Sequence, residues 1–340
     1  MTKRSHAQIF LIVLILGFLT GPRVMQGLIQ ASPKDGPTSM QGAQALSSSD
    51  TARAQLANFT PTSTDPYSTL PLVAKSVFVW DIKEHKKLYG KNEHVALPLA
   101  SVTKMMMAVV ARELLPPNQK ITIRSSDLAE DGDTGLLLGE EWSLDDLLQF
   151  TLVASSNDGA SAIAGVAGAS LGNASSTNSI ANKKLFIKKM NEKASQIGLT
   201  STYFLNESGL DVASLTSGAH GSARDMAMLF EYVFRKHPDL FSSTAYKTLT
   251  LRSESNILHR VANTNQGVEH ASGMIGSKTG FTDLAGGNLV IVVDIGIDHP
   301  VIIAVLGSTY DGRFADVEAL IGASVDAIAT PTSLPIVEIQ

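Results

Sequence analysis

Two β-branched runs near the C-terminus, residues 289–295 and 301–306, flank the short segment Gly296-Ile297-Asp298-His299-Pro300. Glycine and proline punctuate the join, so the runs read as adjacent antiparallel strands. A third strand is expected at the other end of the folded region, where Val73, Val77 and Val79 alternate with Ala74, Phe78 and Trp80. The charged turn over residues 81–87 and a short partner strand at 87–89 would complete a hairpin. Between these ends the apolar stretches suit helices: residues 105–115, stopped by Pro116-Pro117, then 144–153, 158–168, 183–197 and 223–235. In 183–197, Leu185, Ile187 and Met190 fall on one side and Lys184, Lys188 and Lys189 largely on the other. These helices read as solvated and amphipathic, not as membrane binders. Strands at both ends with helices between them predict an α/β (α+β) fold, one antiparallel sheet assembled from the two ends of the domain with a helical insert. No internal repeat interrupts the pattern.

Composition removes several chemistries. The 340 residues contain no cysteine, which excludes disulfides, thiolate metal sites, Fe–S clusters and a cysteine nucleophile. The net charge is −5 and no Lys/Arg block lies beyond the extreme N-terminus, so there is no electrostatic footprint for nucleic acid. His220, His237, His259 and His270 show no H-E-x-x-H or comparable spacing, and they read as surface or core histidines, with no metal site. At the N-terminus Lys3, Arg4 and His6 precede an apolar run over residues 9–19. As a helix that run would span about 16 Å, short of the ~30 Å hydrocarbon core, which favours an export signal over a standard transmembrane helix. No small-x-small cleavage pattern follows closely, the first being Ala43-Gln44-Ala45, so residues 1–26 read as a signal peptide or an uncleaved N-terminal anchor. Residues 27–68 read as a flexible linker rich in Ser, Thr, Pro and Gln, 69–330 as the catalytic domain and 331–340 as a tail.

Three short segments carry candidate chemistry. In Ser101-Val102-Thr103-Lys104 the serine and lysine fall about one turn apart at the start of a helix, within reach for an amine to take a hydroxyl proton. Lysine can act so only if burial or another cation lowers its pKa. About one S-x-x-K arises by chance in a chain of this composition, so the motif alone is also read as a helix cap beside a solvated lysine. In Ser155-Ser156-Asn157-Asp158 two hydroxyls and an amide interrupt an apolar stretch; Ser155 or Ser156 would cap the helix that follows. A second S-x-N, Ser176-Thr177-Asn178, lies in a loop-like segment and is not preferred. In Gly276-Ser277-Lys278-Thr279-Gly280-Phe281-Thr282 a cation sits among small residues at a strand edge. Glycines there let a substrate backbone approach, and Lys278 with Thr279 could hold a carboxylate.

In this order, S-x-x-K, S-x-N and K-T-G resemble the signature of the penicillin-recognising serine enzymes. The flanks Pro98-Leu99-Ala100, Asn206-Glu207-Ser208-Gly209-Leu210-Asp211, Ser222-Ala223-Arg224-Asp225-Met226 and Asn263-Thr264-Asn265 are similar to those of low-molecular-mass penicillin-binding proteins, the serine-type D-alanyl-D-alanine carboxypeptidases. The resemblance covers about residues 70–325. It implies a β-lactamase/transpeptidase-like fold, about five antiparallel strands flanked by helices, with an all-helical lobe and the site between. It implies Ser101 as acylated nucleophile, Lys104 as its base and Ser155 as proton relay to the leaving D-alanine. Asn157, Lys278, Thr279 and Gly280 would bind substrate, with the backbone N–H groups of Ser101 and Phe281 as oxyanion hole. Only two cations, Lys104 and Lys278, are implied near the nucleophile, and each is expected to depress the other's pKa.

The implied partners are peptidoglycan stem peptides and, as covalent inhibitors, β-lactams; no cofactor is implied, and the place of action is the extracytoplasmic side of the cell envelope. Residues 331–340 are too short for the C-terminal β-rich domain and amphipathic membrane helix that many members add, so any membrane hold is expected from the N-terminus. A D,D-endopeptidase would use the same residues. A class A-like β-lactamase is disfavoured because none of Glu192, Glu207, Glu231, Glu254 or Glu269 sits in an E-x-x-x-N arrangement. A catalytically silent wall-binding module is the reading from outside the enzymes.

Overall fold

In the folded unit the two terminal runs and the first strand meet edge to edge. The structure, a computed structural model, describes residues 65–132, 135–172, 179–269 and 271–329. The apolar segment at 9–19, the linker up to residue 64, the Ser176-Thr177-Asn178 match, His270 and the tail 331–340 lie outside the described residues. Strands β1 (Ser76–Asp81), β2 (Lys86–Lys91), β10 (Met274–Thr282), β11 (Gly286–Asp294) and β12 (Pro300–Ser308) form one antiparallel sheet in the order β10-β11-β12-β1-β2. Smaller pairings join β3 (Leu97–Pro98), β6 (Tyr203–Phe204) and β7 (Ala219–Gly221), then β4 (Lys120–Thr122) with β5 (Glu141–Ser143), and β8 (Thr248–Arg252) with β9 (Leu258–Ala262).

The unbroken apolar character of β11 and β12 follows from burial on both faces. Val290, Val292, Ile302, Ala304 and Leu306 join the core shared with the helices, while Leu289, Ile291, Val293, Val301, Ile303 and Val305 point to the other face. There they meet helix α6 (Gly312–Ala329) through Val317, Leu320 and Ala323. No helix was expected here: Gly322 and Ser324 dilute its stripe, and packing on the sheet overrides their weak propensity. Tyr67 seals the same layer, its ring stacked on Tyr89 at 4.9 Å and its hydroxyl donating to Ser324 Oγ at 3.0 Å. Packed structure therefore reaches back into the stretch read as linker.

Helices α1 (Lys104–Leu114), α2 (Leu144–Ala154), α3 (Asn157–Leu171), α4 (Ser179–Gln196) and α5 (Ala223–Lys236) lie at or near their expected positions. Helix α5 packs on the sheet face opposite α6, and α1 to α4 pack on one another. The expectation of solvated helices fails for α2 and α3. Almost every residue from Asp158 to Gly168 is buried, because α3, built from alanine, glycine and serine, lies against α1, α2 and α4. In α4 the buried stripe is Phe186, Met190 and Ala194, and Leu185 faces outward. Of the four histidines cited from the sequence, His259 sits against Trp142 and Phe150 with Nε2 2.7 Å from Glu140 Oε1, and His220 stacks on Tyr203. Among the described residues no helix is long and apolar enough to cross a membrane.

Asp316 of α6 clips the sheet to the helix layer: its carboxylate accepts from the Val73 and Ala74 amides, each at 2.9 Å, and from Ser308 Oγ at 2.6 Å. Replacing it with alanine strands three donors, two of them on buried residues, and is expected to cost about 3 kcal/mol. Urea unfolding of Asp316→Ala should show a lower midpoint at unchanged slope; an unchanged midpoint would contradict the clip.

Candidate active site

Ser101 sits in a 3-10 turn, Ala100–Thr103, that runs directly into α1. Ala100 holds a left-handed backbone with φ +48, a conformation that persists in a non-glycine residue only where its surroundings impose it. Two glycines supply the surroundings. A Cβ at Gly209, itself at φ +82, would stand 1.9 Å from the Ala100 carbonyl oxygen. At Gly280 it would stand 2.7 Å from the Leu99 carbonyl oxygen and 3.1 Å from the Ser101 amide nitrogen. The loop beneath the turn and the edge strand above it therefore both touch backbone, and the Ser101 amide lies against the strand that carries the Phe281 amide.

Lys104, the first residue of α1, has no solvent exposure. Its Nζ donates to Ser101 Oγ at 2.8 Å, to Asn157 Oδ1 at 2.7 Å and to the Ser208 carbonyl at 3.1 Å, which uses all three donors of an ammonium. When the amine is neutral, its lone pair is available to the Ser101 hydroxyl. Ser155 ends α2 in a left-handed conformation, and Ser156 caps α3 by accepting from the Gly159 amide at 2.9 Å. The S-x-N segment is thus the joint between two buried helices. Asn157 opens α3 and anchors its amide by donating to the Asp131 carbonyl at 2.6 Å.

Lys278 comes from the edge strand β10 and is also buried. Its Nζ donates to Ser155 Oγ at 2.8 Å and to the Thr279 carbonyl at 2.9 Å, closing the ring of side chains around Ser101. Thr279 Oγ1 lies 2.6 Å from Thr264 Oγ1. The Gly280 carbonyl accepts from Arg313 Nη1 at 2.8 Å. Phe281 keeps its ring half exposed, edge-on to Tyr310 at 5.1 Å. All eight residues named from the sequence are brought to one place.

The electrostatics differ from expectation in two respects. Burial pushes Lys104 down to about 7, opposed by the Glu207 and Glu130 carboxylates, so desolvation rather than Lys278 is the main reason that Lys104 can lose its proton. Lys278 is held well below the ordinary lysine value by burial, then by the charges of Lys104 and Arg313. Arg313 is the third cation, absent from the sequence reading. It is buried in α6 with its guanidinium 4.5 Å from the Tyr310 ring and 4.7 Å from the Phe314 ring. The sequence marked it only as a lone arginine after Gly312. Thr264 and the Ser208 carbonyl were visible only as flanks of the motifs, and a backbone oxygen leaves no compositional trace.

A serine hydroxyl against a buried amine, with a second buried cation across the cleft, is equipped for acyl transfer through a covalent ester. Residues 60–309 match the peptidase S11 family, D-alanyl-D-alanine carboxypeptidase. The chain is 31% identical over 221 residues to the D-alanyl-D-alanine carboxypeptidase DacF of Bacillus subtilis, covering 63% of this chain and 52% of that protein, so it spans about half of that relative's length. It is 30% identical over 236 residues to a D-alanyl-D-alanine endopeptidase of Pseudomonas aeruginosa, covering 66% and 70%. Among solved structures, penicillin-binding protein D2 of Listeria monocytogenes, in its ampicillin-bound form, has a TM-score of 0.62 at 27% identity, covering 75% of this chain and 98% of that one. A mutant of the Streptomyces K15 DD-transpeptidase shares the fold, with a TM-score of 0.67 at 24% identity over 77% and 100% of the two chains. The chain belongs to the D-alanyl-D-alanine carboxypeptidase family, peptidase S11, of serine peptidases.

Proposed function

We propose that this protein removes the terminal D-alanine from peptidoglycan stem peptides through an ester on Ser101, and that β-lactams acylate the same serine. The observation that carries the reading is the completely buried Lys104 amine, 2.8 Å from Ser101 Oγ and tied to Asn157 and Ser208. In the first step Ser101 Oγ bonds to the carbonyl carbon of the penultimate D-alanine while Lys104 Nζ takes its proton. The Ser101 and Phe281 amides receive the oxyanion, a charge present only in the tetrahedral state. The C–N bond then breaks, and Ser155 passes a proton to the leaving nitrogen. Lys278 and Thr279 hold the terminal carboxylate, while Gly280 leaves room for the substrate backbone and Asn157 binds the donor peptide. Water attacks the ester in the second half, with Lys104 again taking the proton.

A second reading is favoured by the Pseudomonas relative, which is named an endopeptidase: the same residues would cut a D-alanyl cross-link. Glu207 does not support a β-lactamase, since its buried carboxylate lies 3.3 Å from Lys183 Nζ. We also assign the enzyme to the extracytoplasmic face of the envelope, on the strength of Lys3, Arg4, His6 and the apolar run that follows.

Incubation with an N-acylated Lys-D-Ala-D-Ala peptide should release D-alanine, and Ser101→Ala should lower that release by about 10³-fold or more. Release unaffected by the substitution would remove Ser101 from the mechanism. A cross-linked dimer assayed in parallel separates the two readings: cleavage of the dimer with no free D-alanine from the pentapeptide end would favour the endopeptidase. Because Lys104 must be unprotonated to act and burial sets it to about 7, acylation by a fluorescent penicillin should rise with pH through about 7. A rate independent of pH across this range would exclude Lys104 as the base.

A further inference from the structure

Two loops hold the side chains around Ser101 by backbone carbonyls. The Asp131 carbonyl accepts from Asn157 Nδ2 at 2.6 Å, and the Ser208 carbonyl accepts from Lys104 Nζ at 3.1 Å. Each of these residues directly follows a glutamate, Glu130 and Glu207 respectively. The two glutamates converge on one cation. Lys183 Nζ, reaching down from α4, lies 3.1 Å from Glu130 Oε1 and 3.3 Å from Glu207 Oε1. The cluster is largely out of water, with side-chain exposures of 17% for Lys183, 6% for Glu207 and 29% for Glu130.

We infer that Lys183 is a positioning residue: by bridging Glu130 and Glu207 it holds the two carbonyls that orient Asn157 and Lys104, and it offsets the two negative charges that act on the base. The inference rests on Lys104 serving as base for Ser101. Without the Lys183 cation, two carboxylates in a poorly hydrated site repel each other, and the loops that carry Asp131 and Ser208 lose their common anchor. The same loss leaves both negative charges uncompensated near Lys104. Burial acts to lower the Lys183 ammonium itself, but the Glu207 and Glu130 carboxylates outweigh it and hold it above its ordinary value, so it stays charged wherever the enzyme works. The charged groups that act around Lys104 are then Glu207 and Glu130 from the two loops, Lys183 from α4, Lys278 from β10 and Arg313 behind Lys278.

Sequence supplies no trace of this arrangement, since Lys183 sits beside Lys184 in a helix whose lysines otherwise read as a solvated face. The structure sorts them: Lys188 and Lys189 pair loosely with Glu192 on their own helix, whereas Lys183 joins two separate loops.

The test is the rate of acylation by a fluorescent penicillin as a function of pH, on the full chain and on Lys183→Met, Lys183→Arg and Glu207→Gln, with thermal unfolding followed alongside. Lys183→Met should shift the rising limb upward by about one pH unit, which makes acylation about fivefold slower at pH 7 and close to tenfold slower at pH 6. Lys183→Arg should restore the wild-type limb, and Glu207→Gln should shift it downward. A folded Lys183→Met protein whose limb is unmoved overturns the inference, as does a uniform loss of rate at every pH. If Lys183→Met does not fold, Glu130→Gln, at a partly exposed position, should move the limb downward, and an unmoved limb there overturns the inference equally. Failure of the underlying reading looks different: wild-type protein would take no label, or Ser101→Ala would keep it.

Discussion

A primary amine with no contact with water is the constraint on which the rest of this molecule turns. Desolvating Lys104 costs several kcal/mol unless its donors are met, and its three acceptors come from three places distant in sequence: the turn before α1, the start of α3 and the loop over residues 206–211. To bring them together, the chain must bury α1 and α3 almost completely and let Gly209 lie against the Ala100 carbonyl. The small side chains of α3 and the left-handed residues Ala100 and Ser155 are therefore parts of one arrangement. Burial that would be a liability elsewhere here brings the amine to a pKa near the working range of a general base.

The sheet answers this lobe from the other side. Its edge strand β10 mixes glycine, serine and lysine with Ile275, Thr279, Phe281 and Thr282, pairs with β11 from Met274 to Thr282 with one shift of register after Met274, and presents Lys278 and Gly280 to the turn. What stiffens it is behind it: Arg313 holds the Gly280 carbonyl, and α6, from which Arg313 extends, is clipped to the sheet by Asp316. The far face of the sheet thus contributes to the geometry of the site on its edge. Lys104, Lys278 and Arg313 place three basic side chains in one region, where burial and the neighbouring charges hold Lys278 well below the ordinary lysine value.

Much of this was legible in the residues. The β-branched runs at 289–295 and 301–306 and the proline stop after residue 115 announced strands and a helix because they are strong local signals. Ser101, Lys104, Ser155, Asn157, Lys278, Thr279, Gly280 and Phe281 were legible through the order of three motifs, each weak alone. Helix α6 was not, and of β10 only a strand edge around Lys278 was, since glycine, serine and lysine obscure their periods and the packing that stabilises them is long-range. Arg313, the Ser208 carbonyl and the Lys183 bridge lay beyond the sequence for a related reason: each acts through partners more than 20 residues away. The helices read as solvated show the converse failure, for α3 is buried all round by neighbours that its own pattern does not reveal.

The central claim is that a single serine, activated by a buried amine, carries the acyl group. Intact-protein mass spectrometry after incubation with benzylpenicillin, followed by peptide mapping, addresses it directly. One penicilloyl adduct per chain, on the peptide containing Ser101, is the predicted result; an unmodified chain, or an adduct mapped to any other residue, would contradict it.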